Sequence, residues 1–271
     1  MLMRRLVAVA AQRARLDLGG AARDPLLLLL IALMPLSTAM FADDRTPAAV
    51  LAGMPGVTAG IVAGLLMVVL VARERFDGTL TRLRALPRGI AAYVVGRTTS
   101  MLALVLLSVM ATILAAAGTA GMASPTAPTG WGAAVVGVVL GAAAWAAIGL
   151  VAAALLPSGN PTGAGSMVAQ TVILATILAS ANLRPTDDMP GPAPVLVQAL
   201  PAFWSGHLVR YGLLGDAGAT SEPGGHWHPV LALGVLVAWT IVGGLLAAWL
   251  LRRGTRRGDG RPIRGAALQA R

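Results

Sequence analysis

Six long apolar runs alternate with short polar stretches along the chain. They greatly exceed a strand's length and show no period-two alternation, so the pattern predicts helices rather than a β-barrel. A bilayer-spanning helix needs about 20 apolar residues. The predicted spans are Leu26–Ala42, Met54–Ala72, Thr98–Ala120, Trp131–Leu156, Thr162–Asn182 and Pro229–Leu251. Asp24-Pro25 makes a good helix start, and Pro35 is expected to kink the first span. Residues 2–18 predict an interfacial helix, with Leu2, Leu6, Val9, Ala10 and Leu16 on one face and Arg4 and Arg15 opposite. Turn signals include Ser124–Gly130 and the short Pro157–Pro161. The reading is an all-α integral membrane protein with a single transmembrane domain, residues 1–271. An interfacial segment fills 1–24, the six-span bundle 26–251, and a basic tail 252–271.

Composition sharpens this picture. The chain is 56% hydrophobic and only 12% charged, about half the charge of a soluble domain. It has no cysteine, so disulfides and thiolate metal sites are excluded. It has no lysine either; all 21 basic residues are arginine. A P-loop and Schiff-base chemistry both need lysine, so any ATP must be bound by another chain. Eighteen arginines fall on one side of the predicted topology and three on the other, Arg45, Arg184 and Arg210. This bias places both termini in the cytoplasm of a multi-pass plasma-membrane protein. Trp131, Trp227, Phe41, Tyr93 and Trp249 near span ends form an aromatic belt.

No Asp, Glu, Arg or His lies deep in a predicted span. Charges there usually mark ion or proton pathways, so a proton- or sodium-coupled carrier is disfavoured. The mild polar residues Ser108, Thr112, Gln170, Thr171, Thr176 and Thr240 suit helix–helix hydrogen bonds or contact with a substrate. Ser166 lacks a base within reach, which argues against an intramembrane protease. His226 and His228 lack a third metal ligand. Gly56, Gly60 and Gly64, and Gly137 with Gly141, form GxxxG steps suited to packing within one subunit or to a dimer seam.

The polar stretch Arg73–Arg97 is the most informative. Glu74 and Arg75 stand at the end of the second span. Gly78 permits a turn, and Thr79 can cap a helix starting at Leu80. Leu80, Leu83 and Leu86 recur at helical spacing between Arg82 and Arg84, and Pro87 stops the helix. So short a helix cannot span. It can lie on the membrane surface or present its leucines to a groove in a soluble partner, and the physics leaves both open.

At this point the sequence resembles the permease subunits of type-2 ATP-binding-cassette exporters. Their second span is followed by E-R-E-x-G-T-L-E-x-L-x-x-x-P and then G-[KR]. Glu74, Arg75, Gly78, Thr79, Leu80, Leu83, Pro87, Gly96 and Arg97 stand at the matching places; Phe76 and Thr81 replace acids. The resemblance covers nearly the whole chain. It implies a cytoplasmic coupling helix between spans 2 and 3 and an outer re-entrant segment before span 6, matching Ala193–Gly215. Leu200–Leu208 loosely resembles the family's L-P-x-x-H-L stretch.

The resemblance implies an ATP-driven exporter, not itself an enzyme. A separate ATPase would push on Glu74, Arg75, Gly78, Thr79, Leu80, Leu83, Leu86 and Pro87. Two permeases, identical or different, would enclose the path, in contact with membrane lipid; no cofactor, metal or nucleic acid is expected. Gln170, Thr171, Thr176 and His207 are the candidate substrate-path residues, and the cargo is expected to be a hydrophobic drug or antibiotic, with efflux and drug resistance as the outcome. A non-transporting membrane scaffold or assembly protein, and a secondary carrier, are the rival readings.

Overall fold

The computed structural model describes residues 19–20, 23, 25–41, 47–86, 89–120, 128–156, 163–180, 182–183 and 189–258. The expected interfacial helix over 2–18, Pro87, the turn Pro157–Pro161 and the tail beyond 258 lie outside the described residues.

All regular elements among the described residues are helical. They are α1 Pro25–Phe41, α2 Ala48–Phe76, α3 Thr79–Arg84, α4 Gly89–Ala120, α5 Pro128–Leu155, α6 Ala164–Leu178, α7 Ala193–Val197, α8 Pro201–Leu214 and α9 Pro229–Gly258. In lipid, backbone groups must be satisfied within the segment, and a helix does this locally. Among the described residues, α2, α4, α5 and α9 are long and apolar enough to cross a membrane. The two shorter apolar helices, α1 and α6, match the remaining predicted spans. At 15 residues α6 reaches about 22 Å, less than the roughly 30 Å hydrocarbon core.

Several boundaries differ from the sequence expectation: α6 ends at Leu178 rather than Asn182, and α9 continues past Leu251 to Gly258, into the stretch read as the basic tail. α2 begins at Ala48 rather than Met54 and continues to Phe76, through Pro55 and a π-helical turn at Ile61–Leu65. α4 begins at Gly89 rather than Thr98, so Arg97 lies about two turns inside the helix. The polar residues read as loop are helical because their side chains find partners across the bundle, described below.

α5 packs closely against α8 and α9, α2 against α8, and α1 against α4. Residues of α2, α4 and α5, with Ile173 and Ile177 of α6, supply most of the core; Trp145, Leu66, Met67 and Met101 are fully enclosed there. The glycine steps serve packing within the subunit. Gly56 lies against Gly206 of α8, Gly60 and Gly64 against Trp145 and side chains of α6, and Gly137 and Gly141 against Ser205.

Pro35 sits inside α1 and has no N–H to offer the Ile31 carbonyl. Ser108 of α4 donates to that carbonyl instead, at 2.7 Å. An expected span-polar residue, Ser108, thus repairs the defect left by Pro35. Thr58 and Thr112 similarly bridge α2 and α4 at 3.2 Å.

Candidate functional site

The polar hairpin closes the end of the bundle where α2 stops and α4 starts. Gly78 takes the left-handed conformation, φ 72°, that lets α3 leave α2 at a sharp angle. Gly89 sits so close to the Leu83 carbonyl that a Cβ would collide with it, which brings α3 tightly back onto α4. Between these turns α3 is a short helix, as its leucine spacing predicts.

The three leucines divide. Leu80 is buried, 2% exposed, in the main core, and Leu83 packs half-buried against it. They anchor α3 to the bundle. Leu86 is 57% exposed, and Phe76, just before the turn, is 65% exposed. Asp77, Thr81, Arg82 and Ala85 are exposed with them, while Thr79 is half-buried. The result is a small apolar and basic surface on a firmly seated helix.

Glu74 and Arg75 are adjacent, so the helix turns them about 100° apart. Glu74 faces α4: its Oε1 accepts from Arg97 Nη2 at 2.8 Å, and its Oε2 from the Tyr93 hydroxyl at 2.6 Å. Arg97 is almost fully enclosed. Arg75 faces the end of α5, where its guanidinium donates to the carbonyls of Ala153 and Leu156, the latter at 2.8 Å. A helix leaves its last carbonyls without partners and its C-terminus partly negative, so a cation there is favourable twice over. Two neighbouring residues at the hairpin's root therefore hold three helices.

A second polar cluster occupies the opposite end of the bundle. α8 is buried along almost its whole length between α2, α5 and α9. His207 and Arg210 share one face of it at i, i+3. Both meet Glu222, which stands between two 3-10 turns, Gly215–Ser221 and Pro223–Gly225. His207 Nδ1 lies 2.7 Å from Glu222 Oε2, and Arg210 Nε donates to Oε1 at 2.5 Å. His207 Nε2 accepts from the backbone N–H of His228 at 3.0 Å, so the ring proton must sit on Nδ1, where it donates to Glu222. Arg210 also donates to Asn182 Oδ1 at 2.8 Å, and Asn182 Nδ2 donates to the Ala202 carbonyl at 2.8 Å and to Ser180 Oγ at 3.0 Å. Burial alone would raise the Glu222 pKa. The His207 hydrogen bond and the Arg210 charge outweigh it and hold the carboxyl below the ordinary range.

The candidate path residues separate. Gln170, Thr171 and Thr176 lie on α6. Gln170 donates to Ser166 Oγ at 3.0 Å, Thr176 to the Val172 carbonyl at 2.7 Å, and Thr171 is exposed beside Met167, Val168 and Val172. His207 is enclosed in the Glu222 cluster, with Phe203, Trp204 and Trp227 around its ring. Among the described residues there is no group of three or more metal-binding side chains.

A family model described as ABC-2 family transporter protein matches residues 48–249. The chain belongs to that family. The match runs from the start of α2 through most of α9, and so takes in both polar clusters. This ABC-2 protein is an all-helical membrane protein and a transport component, a permease rather than a catalyst; its family in general pairs with an ATP-binding subunit. No curated protein matches the chain closely.

Sequence reasoning had no signal for the Glu222 hub of this ABC-2 permease. Its partners lie 15 and 12 residues away across turns. The one available hint was the i, i+3 pair His207 and Arg210 in an otherwise apolar helix.

Proposed function

We propose that this chain is the membrane-spanning permease of an ATP-driven exporter. A separate ATP-binding-cassette ATPase supplies the energy, and two permeases enclose the path. The arginine-rich end, with both termini, lies in the cytoplasm of a cell whose plasma membrane the bundle crosses. The α3 hairpin receives the ATPase stroke, through residues flanking Gly78 and Thr79 and ending at Pro87. The cargo is a hydrophobic drug- or antibiotic-like molecule, and Gln170, Thr171 and Thr176 present polar groups to it from α6; His207 acts through the setting of α8. Efflux conferring drug resistance is the outcome.

One observation carries this reading. α3 is anchored by Leu80 and Leu83 yet leaves Phe76 and Leu86 exposed on an arginine-bearing surface. A helix serving only as a solvated loop has no need to hold two large apolar side chains outward. In a chain without lysine, that surface suits a partner that binds the nucleotide.

Phe76→Asp and Leu86→Asp should each abolish co-purification of an ATP-binding-cassette ATPase co-expressed with the permease, while the permease still inserts. Wild-type recovery of the ATPase with both variants would overturn the docking role. Labelling of a cysteine placed at Gly224 from the cytoplasmic side alone would overturn the orientation.

A further inference from the structure

The docking surface accounts for where a partner would push, but not for how the push reaches the spans. Moving α3 moves the end of α2, to which it is joined by Asp77 and Gly78 alone. α2 contains a π-helical turn at Ile61–Leu65 and Pro55, both interruptions of the regular hydrogen-bond ladder. A helix so constructed can flex at mid-length and absorb a displacement applied at its end. Transmission requires that the stretch Leu66–Phe76 be tied to something else.

Glu74 and Arg75 supply two ties in different directions. Glu74 meets Tyr93 and Arg97, two groups one helical turn apart on α4, so the contact resists both sliding and rotation. Arg75 meets the carbonyls of Ala153 in the last turn of α5 and of Leu156 just past it. All four partner residues lie within the bundle or at its rim, and Arg97 is enclosed. Both side chains thus reach into the bundle, while Phe76 and Leu86 remain exposed. We infer that Glu74 and Arg75 are positioning residues that clamp the end of α2 to α4 and α5, so that the α3 hairpin and the adjoining ends of three spans move as one body. On this account Glu74 does not contact the ATPase. Glu74 near the end of α2 and Arg97 about two turns inside α4 are two halves of one device. The inference rests on the exporter reading for its role in coupling, and on geometry alone for the rigid body.

The absence of native cysteine makes the test direct. Cysteines at Thr81 on α3 and Leu155 on α5, both exposed, carry spin labels without background. In the permease alone, the interlabel distance distribution should be narrow in the parent and should broaden in Arg75→Leu. A pair at Thr81 and Val95 should broaden in Glu74→Ala and narrow again in Glu74→Arg combined with Arg97→Glu. With the ATPase and vanadate-trapped nucleotide, parent distances within these pairs should stay fixed, while those in the two disrupted variants shift. ATPase co-purification should survive Glu74→Ala. Unchanged distributions in both variants, or parent distances that themselves shift on trapping, would overturn the clamp. Loss of ATPase binding in Glu74→Ala, with the distributions intact, would instead make Glu74 a docking residue. Failure of the parent to bind any ATPase would sink the exporter reading and leave the partner-free broadening to decide the clamp.

Discussion

Glu222→Ala should be the most damaging single truncation at the end of the bundle opposite the hairpin. The carboxylate is enclosed, and both its oxygens are engaged, by Arg210 Nε and His207 Nδ1. Its removal leaves the Arg210 charge with Asn182 as its remaining described partner and the His207 N–H with none in place. Breaking a buried ion pair from one side costs about 3–5 kcal/mol, a factor of roughly two hundred to four thousand in a folding equilibrium. Glu222→Gln should be milder, about 1.5–3 kcal/mol, because the amide oxygen can still accept one of the two bonds. The amide nitrogen then faces an N–H whichever way the amide is turned. His207 cannot relieve the conflict by moving its proton to Nε2, since the His228 N–H already points there. Equilibrium unfolding of the detergent-solubilised permease measures both values. A pH series gives the sign. The folded carboxyl titrates below its ordinary range, so its contribution is complete above the unfolded pKa, about 4.3, and is lost as the pH falls through the lower folded value. The wild-type advantage over Glu222→Gln should therefore be constant near neutrality and vanish in acid. A cost for Glu222→Ala below about 0.5 kcal/mol, the range of ordinary surface changes, would refute the reasoning.

Other substitutions probe separate links. Gly206→Ala would drive its methyl into the Asn182 side chain and should cost about 1–3 kcal/mol, read in the same unfolding assay. Gly78→Val forces a β-branched residue to φ 72°, about 1–2 kcal/mol of local strain; it should reduce ATPase co-purification more than overall thermal stability. Trp145→Phe removes a buried indole N–H that has no hydrogen-bond partner, so it should change stability by less than about 1.5 kcal/mol despite the residue's complete enclosure.

Much of the fold was legible because the bilayer imposes a strong rule on sequence. A segment that crosses must be apolar for about 20 residues and helical throughout, so hydropathy alone locates the long helices α2, α4, α5 and α9. The hairpin was legible for local reasons: Gly78 is needed for its turn, and leucines at helical spacing predict α3. Boundaries were less so. Arg97 read as the edge of a loop, yet it lies inside α4, because whether a charge can sit there depends on a partner 23 residues earlier. The leucines of α3 were alike in sequence, and only the docking of α3 against α4 made Leu80 an anchor and left Leu86 outward.

The chain by itself determines a helical membrane protein with a lysine-free composition, a strong arginine asymmetry and a short helix between two spans. These depend on properties that act locally or add along the sequence: hydrophobic length, turn chemistry and charge count. The tertiary structure alone decided that adjacent Glu74 and Arg75 grip different helices, that Ser108 serves the carbonyl orphaned by Pro35, and that Glu222 gathers His207 and Arg210. A hydrogen bond is directional and reaches about 3 Å, so its partner is fixed by how helices distant in sequence come together.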